Sequence, residues 1–90
     1  MSRQVRTFVI VNTLGLHARA AAQLVQTANR FRSEVQVEKD GMEVNGKSIM
    51  GVLTLAAGKG AQITVSIEGD DSELALVALA KVIEDGFGEK

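Results

Sequence analysis

The apolar positions of this chain change period several times, and each change marks an element. Val5 to Val11 (VRTFVIV) is rich in β-branched residues and predicts a strand buried on at least one face. Asn12 to Gly15 breaks that run. From Ala18 onward, Ala21, Leu24, Val25 and Ala28 recur at helical spacing, while Arg19, Gln23, Gln26, Asn29 and Arg30 occupy the other side, which predicts an amphipathic helix. Glu34 to Lys39 (EVQVEK) alternates strictly, Asp40-Gly41 supplies the two left-handed residues of a type I′ turn, and Met42 and Val44 resume the alternation as a hairpin. Ile49 to Leu55 allows a short helix before Gly58-Lys59-Gly60 interrupts it. Ile63, Val65 and Ile67 alternate as a further strand. Asp70 with Glu73 then reads as a capping box for a helix with Ala75, Leu76, Leu79, Val82 and Ile83 inward and Gly86 at its C-cap.

The order strand, helix, strand, strand, short helix, strand, helix (βαββαβα) predicts an α+β fold. Its helices would cover one face of a four-stranded, mostly antiparallel sheet and leave the other face open to water. Residues 1–90 are expected to form one domain, since no linker or repeat interrupts them and 46% hydrophobic with 23% charged residues is ordinary for a folded chain.

Charge and composition narrow the partners. A formal charge of −1 and an aromatic set of three Phe, with no Trp or Tyr, argue against nucleic acid, which needs basic charge or a stacking platform. No apolar run approaches the roughly 20 residues of a membrane span, and Met1 to Arg6 is polar with no signal core behind it, so no membrane insertion and a cytoplasmic location are expected. With zero cysteines and one histidine, no metal centre or disulfide framework is expected, and no cofactor is implied.

One motif invites a different reading. Gly41, Gly46, Lys47 and Ser48 fit the phosphate-loop pattern G-x-x-x-x-G-K-[ST]. That chemistry needs the intervening residues as a loop whose N–H groups ring the phosphates, followed by a long helix. Here Met42 to Asn45 carry the alternation of a returning strand, and only about two helical turns fit before Gly58. Nucleotide binding is therefore not the expected role of this stretch.

The candidate chemistry lies in Gly15 to Ala22, GLHARAAA, which places the only histidine where a loop enters a helix. Unpaired N–H groups of a first helical turn and the positive end of the helix dipole favour an anion, and Arg19 in that turn carries a planar fork suited to phosphate. An imidazole is a competent nucleophile near neutral pH, and phosphoryl transfer asks the protein mainly for positioning and charge stabilisation. His17 is thus a candidate phosphoryl acceptor, although these features alone also suit an exposed histidine that merely starts a helix.

Two signatures decide between those readings: Gly15-Leu16-His17-Ala18-Arg19 followed by Ala21-Ala22, and Lys47-Ser48-Ile49-Met50-Gly51 followed by Val52 and Leu53. Together they resemble the histidine-containing phosphocarrier (HPr) family of the phosphoenolpyruvate-dependent phosphotransferase system, from Val5 to about Gly86. The resemblance implies an open-faced β-sandwich of four antiparallel strands and three helices. It also implies that His17 accepts a phosphoryl group on its δ nitrogen from Enzyme I and yields it to Enzyme IIA-type sugar-transporter subunits, with Arg19 beside the phosphate. Ser48 corresponds to a regulatory serine modified by an ATP-dependent HPr kinase/phosphorylase. Such a protein is a stoichiometric carrier rather than an enzyme with independent turnover. Transcriptional regulators are further partners, and a nitrogen-related, non-transport branch of the system is the alternative.

One position departs from the family motif, which usually has proline after the arginine where this chain has Ala20. Proline in a first turn fixes φ at the expense of an N–H that is already unpaired, so alanine leaves the nucleophile untouched and bears on transfer rate and partner preference. Ser48 also suits a plain N-cap. Ile49, Met50 and Leu53 have core spacing, but a short helix cannot bury every side, so with Lys47 and Ala20 they are candidate partner-binding residues.

Overall fold

The computed structural model describes residues 2–89. Its elements run β1 (Ser2–Val9), α1 (Ala18–Ala28), β2 (Glu34–Lys39), β3 (Met42–Asn45), α2 (Ile49–Thr54), β4 (Gln62–Gly69) and α3 (Ser72–Glu84), followed by a 3-10 turn at Gly86–Gly88. The strands form a single sheet in the order β1-β4-β2-β3, with every neighbouring pair antiparallel. This is the α+β open-faced sandwich that the element order predicts.

Strand alternation sorts the sheet into two faces. Ile63, Val65 and Ile67 of β4 are fully buried, and the register sets Ile67 opposite Val35, Val65 opposite Val37 and Ile63 opposite Phe8, all of them inward. On the other face Val5 and Val9 of β1 are exposed, and Thr64 and Ser66 of β4 are half-buried. The inward side chains meet Ala21, Leu24, Val25 and Ala28 of α1, Val52 of α2 and Ala75, Leu79 and Ile83 of α3 in one core. Burial of each Val, Leu or Ile is worth about 1.5–3 kcal/mol relative to exposure, so this shared apolar face holds the helices to the sheet. The hairpin turn is as expected. Asp40 and Gly41 have φ of 52° and 85°, and Lys39 pairs directly with Met42.

Two boundaries differ from the sequence expectation. β1 begins at Ser2 because Ser2, Arg3 and Gln4 pair with Gly69, Glu68 and Ile67 of β4, a tertiary pairing that polar residues do not advertise. It ends at Val9 rather than Val11. Ile10 bonds instead to the irregular loop before β4, with its N–H donating to the Ala61 carbonyl at 2.9 Å and its carbonyl accepting from Gly60 N at 2.8 Å.

The capping box at Asp70 and Glu73 is also corrected. The N-cap of α3 is Asp71, and its side chain makes no capping bond. The Asp71 carboxylate instead accepts from the backbone N–H groups of Arg32 (2.9 Å) and Ser33 (3.0 Å) and from the Ser33 hydroxyl, which ties the start of α3 to the entrance of β2. The Ser33 hydroxyl and then the Arg32 N–H hold this carboxyl below the usual range. A local sequence pattern cannot reveal that competing set of donors.

Candidate functional site

His17 is the N-cap of α1, with extended backbone (φ −71°, ψ 177°), and its carbonyl accepts the first helical hydrogen bond from Ala21 N at 2.8 Å. Ala18, Arg19 and Ala20 therefore present the unpaired N–H groups of the first turn beside the imidazole. The loop that delivers His17 is fixed from both sides. Gly15 has φ of 65°, the Leu16 N–H donates to the Ala57 carbonyl at 2.8 Å, and Asn12 Nδ2 donates to the Gly15 carbonyl at 2.8 Å. Leu16 is buried while the neighbouring His17 side chain stays 32% exposed, so the loop anchors itself with one residue and offers the next to solvent.

A hollow of about 300 Å³ adjoins the histidine, lined by Leu14, His17, Arg19, Ala20, Gln23 and the 87–89 segment. Arg19 is exposed, and its guanidinium has no hydrogen-bond or ion-pair partner among the described residues. It remains available to an anion on His17. Ala20 contributes differently from expectation. It is fully buried, facing the core with Ala21 and Leu24, so its methyl offers a docking protein no surface. The sequence pattern missed this because positions 20 and 21 both fall on the inner edge of α1.

Glu89 was also absent from the sequence reading. After α3, Gly86, Phe87 and Gly88 all adopt left-handed backbone, with φ of 63°, 57° and 72°, and Phe87 is buried. For a non-glycine residue that conformation costs roughly 1–2 kcal/mol, an amount that burial of an aromatic ring offsets. The turn brings Glu89 against His17, with Oε2 3.3 Å from His17 Nε2 and 3.1 Å from Asn12 Nδ2, and Oε1 accepting from Leu14 N at 3.0 Å. The Asn12 amide and then the Leu14 N–H hold the Glu89 carboxyl below the usual carboxylate range, outweighing the opposing effect of burial, and His17 adds to them. A buried aromatic between two glycines beyond a helix end is the sequence signal of a chain turning back onto the body.

The second signature lies on a separate element. Ser48 is the N-cap of α2, and its hydroxyl accepts from Gly51 N at 3.1 Å. Lys47 Nζ donates to the Phe31 carbonyl at 2.8 Å, which engages its ammonium within the fold. Ile49 and Met50 are 41% and 75% exposed, whereas Leu53 is partly buried against the core. Gly41 to Ser48 is no phosphate loop: residues 42–45 form β3, paired with β2, and α2 is six residues long.

A small open sandwich with an accessible histidine at a helix start, flanked by free N–H groups and an unengaged arginine, is an arrangement suited to holding an anionic group beside the imidazole. The comparisons agree. The family profile described as "PTS HPr component phosphorylation site" matches residues 4–85. The chain is 49% identical over 81 residues to the phosphocarrier protein HPr of Xylella fastidiosa (strain 9a5c), covering 90% of this chain and 91% of that one. It is 51% identical over 80 residues to HPr of Neisseria meningitidis serogroup A (strain Z2491), covering 89% and 90%. The crystal structure of HPr-C-His from Thermoanaerobacter tengcongensis superimposes with a TM-score of 0.93 at 49% identity, covering 97% of this chain and 98% of that one. The chain belongs to the HPr family of phosphocarriers of the phosphotransferase system. No helix among the described residues is long and apolar enough to cross a membrane.

Proposed function

We propose that this phosphocarrier accepts a phosphoryl group on His17 from phospho-Enzyme I and passes it to Enzyme IIA-type subunits of sugar transporters, acting in the cytoplasm as one stoichiometric unit. The observation that carries the reading is the position of His17 at the N-cap of α1, where the free N–H groups of residues 18–20 and the unengaged Arg19 surround an accessible imidazole. An incoming phosphoryl group gains charge stabilisation there from backbone and side chain together, and it pays no unfolding cost to reach them. Phosphoryl transfer asks the carrier for orientation and charge stabilisation more than for covalent machinery of its own.

Ser48 is the proposed regulatory site, modified by a kinase/phosphorylase, with Ile49, Met50 and Leu53 as the apolar docking residues and Lys47 beside them. Met50, at 75% exposure, is a flexible apolar side chain suited to more than one partner, transcriptional regulators among them. The test is a relay assay with labelled phosphoenolpyruvate and Enzyme I. The wild type becomes labelled and loses the label to an added Enzyme IIA, the label is acid-labile and alkali-stable, and His17→Ala stays folded and unlabelled. Labelling of His17→Ala at the wild-type level refutes the assignment.

A further inference from the structure

Glu89 faces His17 across the hollow beside α1. The nitrogen that meets the carboxylate is Nε2, at 3.3 Å from Oε2. An ionised carboxylate only accepts hydrogen bonds, so the Nε2 it meets carries the ring proton, and in a neutral imidazole the proton-free nitrogen is then Nδ1. The carboxylate is itself held in place. Two donors hold its oxygens, Asn12 Nδ2 on Oε2 and the Leu14 N–H on Oε1, and the His17 ring approaches Oε2 at 3.3 Å. Asn12 is buried and bonds the Gly15 carbonyl through the same amide nitrogen, so the chain of contacts runs from the loop that carries His17 back to His17. The titratable or charged groups lining the hollow are His17, Arg19 and Glu89, and Arg19 makes no ion pair with Glu89.

From this arrangement we infer that Glu89 is a positioning residue, which fixes the Nε2–H tautomer of His17 and so presents the Nδ1 lone pair for phosphorylation. The inference rests on the reading of His17 as the phosphoryl acceptor. In the charging step the Nδ1 lone pair forms the new N–P bond while the bond from phosphorus to the donor atom breaks and its electron pair returns to that donor atom. The proton stays on Nε2 throughout, next to Glu89, and the modified ring is cationic before any loss of that proton. In discharge the N–P bond breaks, its electron pair returns to Nδ1, and the neutral Nε2–H imidazole is regenerated. Glu89 faces the Nε2–H in both directions, and a ring that keeps this proton is the better leaving group. The residue never touches the phosphoryl group in this scheme and acts wholly through the imidazole.

The left-handed turn at Gly86, Phe87 and Gly88 gains a purpose from this role. A buried Phe87 anchors the segment, and Glu89 emerges from it at the one place where it meets both the 12–14 loop and the start of α1.

The experiment is ¹⁵N NMR of the imidazole in unphosphorylated wild type, Glu89→Ala and Glu89→Gln, recorded above the pH of ring titration, together with Enzyme I-dependent charging kinetics and a melt of each variant. In the wild type, Nε2 carries the proton and exchanges it slowly. Loss of one net hydrogen bond in Glu89→Ala raises the Nδ1–H share by about two- to tenfold and speeds Nε2–H exchange. Glu89→Gln keeps one carbonyl acceptor where the carboxylate has two oxygens, so it cannot hold Asn12 and Leu14 and still face the ring with an oxygen, and it falls between the two. Charging loses kcat by a similar factor with little change in KM, and the melts show that the fold persists. Identical ¹⁵N shifts and exchange in wild type and Glu89→Ala overturn the proposal, as does unchanged charging alongside a shifted tautomer. Absence of charging in the wild type is a separate failure, of the phosphocarrier reading, and leaves the tautomer measurement standing.

Discussion

Gly15→Ala places a methyl group where the fold has no room for one, and the expected loss follows from two separate terms. Gly15 has φ of 65°, a region that costs an L-residue roughly 1–2 kcal/mol. A Cβ built there lies 2.4 Å from the Ala57 carbonyl oxygen and 2.8 Å from the Gly58 Cα, both backbone atoms that no side-chain rotation can clear. Relief requires the two loops to part, and forced overpacking of this kind costs about 1–3 kcal/mol. The sum is about 2–5 kcal/mol, against a total stability of about 5–13 kcal/mol for 90 residues. The same displacement strains the Leu16 N–H bond to Ala57 and the Asn12 bond to Gly15, which orient the residue next in line, His17. Urea titration should therefore show a lower midpoint, and Enzyme I-dependent labelling should slow under conditions where the variant is still folded. Gly58→Ala is the control, since nothing lies within 4 Å of its built Cβ, and it should be neutral or stabilising by about 0.4–1 kcal/mol. A Gly15→Ala protein within about 0.5 kcal/mol of wild type would refute the claim that close backbone approach sets this loop.

Ala20→Pro should preserve labelling, because the Ala18 and Arg19 N–H groups remain beside the imidazole, and should change stability by less than about 2 kcal/mol, because the first helical bond belongs to Ala21 N while the larger ring must fit a buried position. A loss above about 2 kcal/mol in a thermal melt would contradict the placement of the helix start. Ser48→Ala should cost about 1 kcal/mol through the lost bond from Gly51 N, while Ser48→Asp keeps a capping oxygen, retains the fold and slows charging by setting charge beside Ile49 and Met50. Equal charging rates for wild type, Ser48→Asp and kinase-treated protein would reduce Ser48 to a helix cap. Acid should destabilise the protein through Asp71, whose folded carboxyl is held below its unfolded value of ~4 by Ser33 and Arg32. Its contribution is complete above that unfolded value and is lost as pH falls through the folded one, so urea midpoints from about pH 5 to about pH 2 should fall less steeply for Asp71→Asn than for wild type.

Most of the fold was legible because the apolar positions agree with the period of each element. Val35 and Val37 alternate in β2, Leu24 and Val25 share a helix face in α1, and Asp40-Gly41 demands its turn. The positions of His17 and Ser48 at helix starts were legible because the local pattern marks where each helix begins. What escaped depends on contacts distant in sequence. Asp71 reaches Ser33 and Arg32 rather than capping α3, and Ser2 becomes a strand residue only because Gly69 lies opposite. Ala20 turned inward, since a helix with alanines at three adjacent positions leaves the edge of its buried face undefined. Glu89 was invisible because Gly86 to Gly88 has no period, and its left-handed path includes a phenylalanine that no propensity would place there.

The central claim is that His17 alone carries the phosphoryl group. Intact mass analysis after incubation with phosphoenolpyruvate and Enzyme I tests it most directly, with wild type and His17→Ala run side by side. The account predicts one added phosphate on the wild type, removed by acid and retained in alkali, and no added mass on a folded His17→Ala protein. A phosphate on His17→Ala, or an acid-stable phosphate on the wild type, would contradict it.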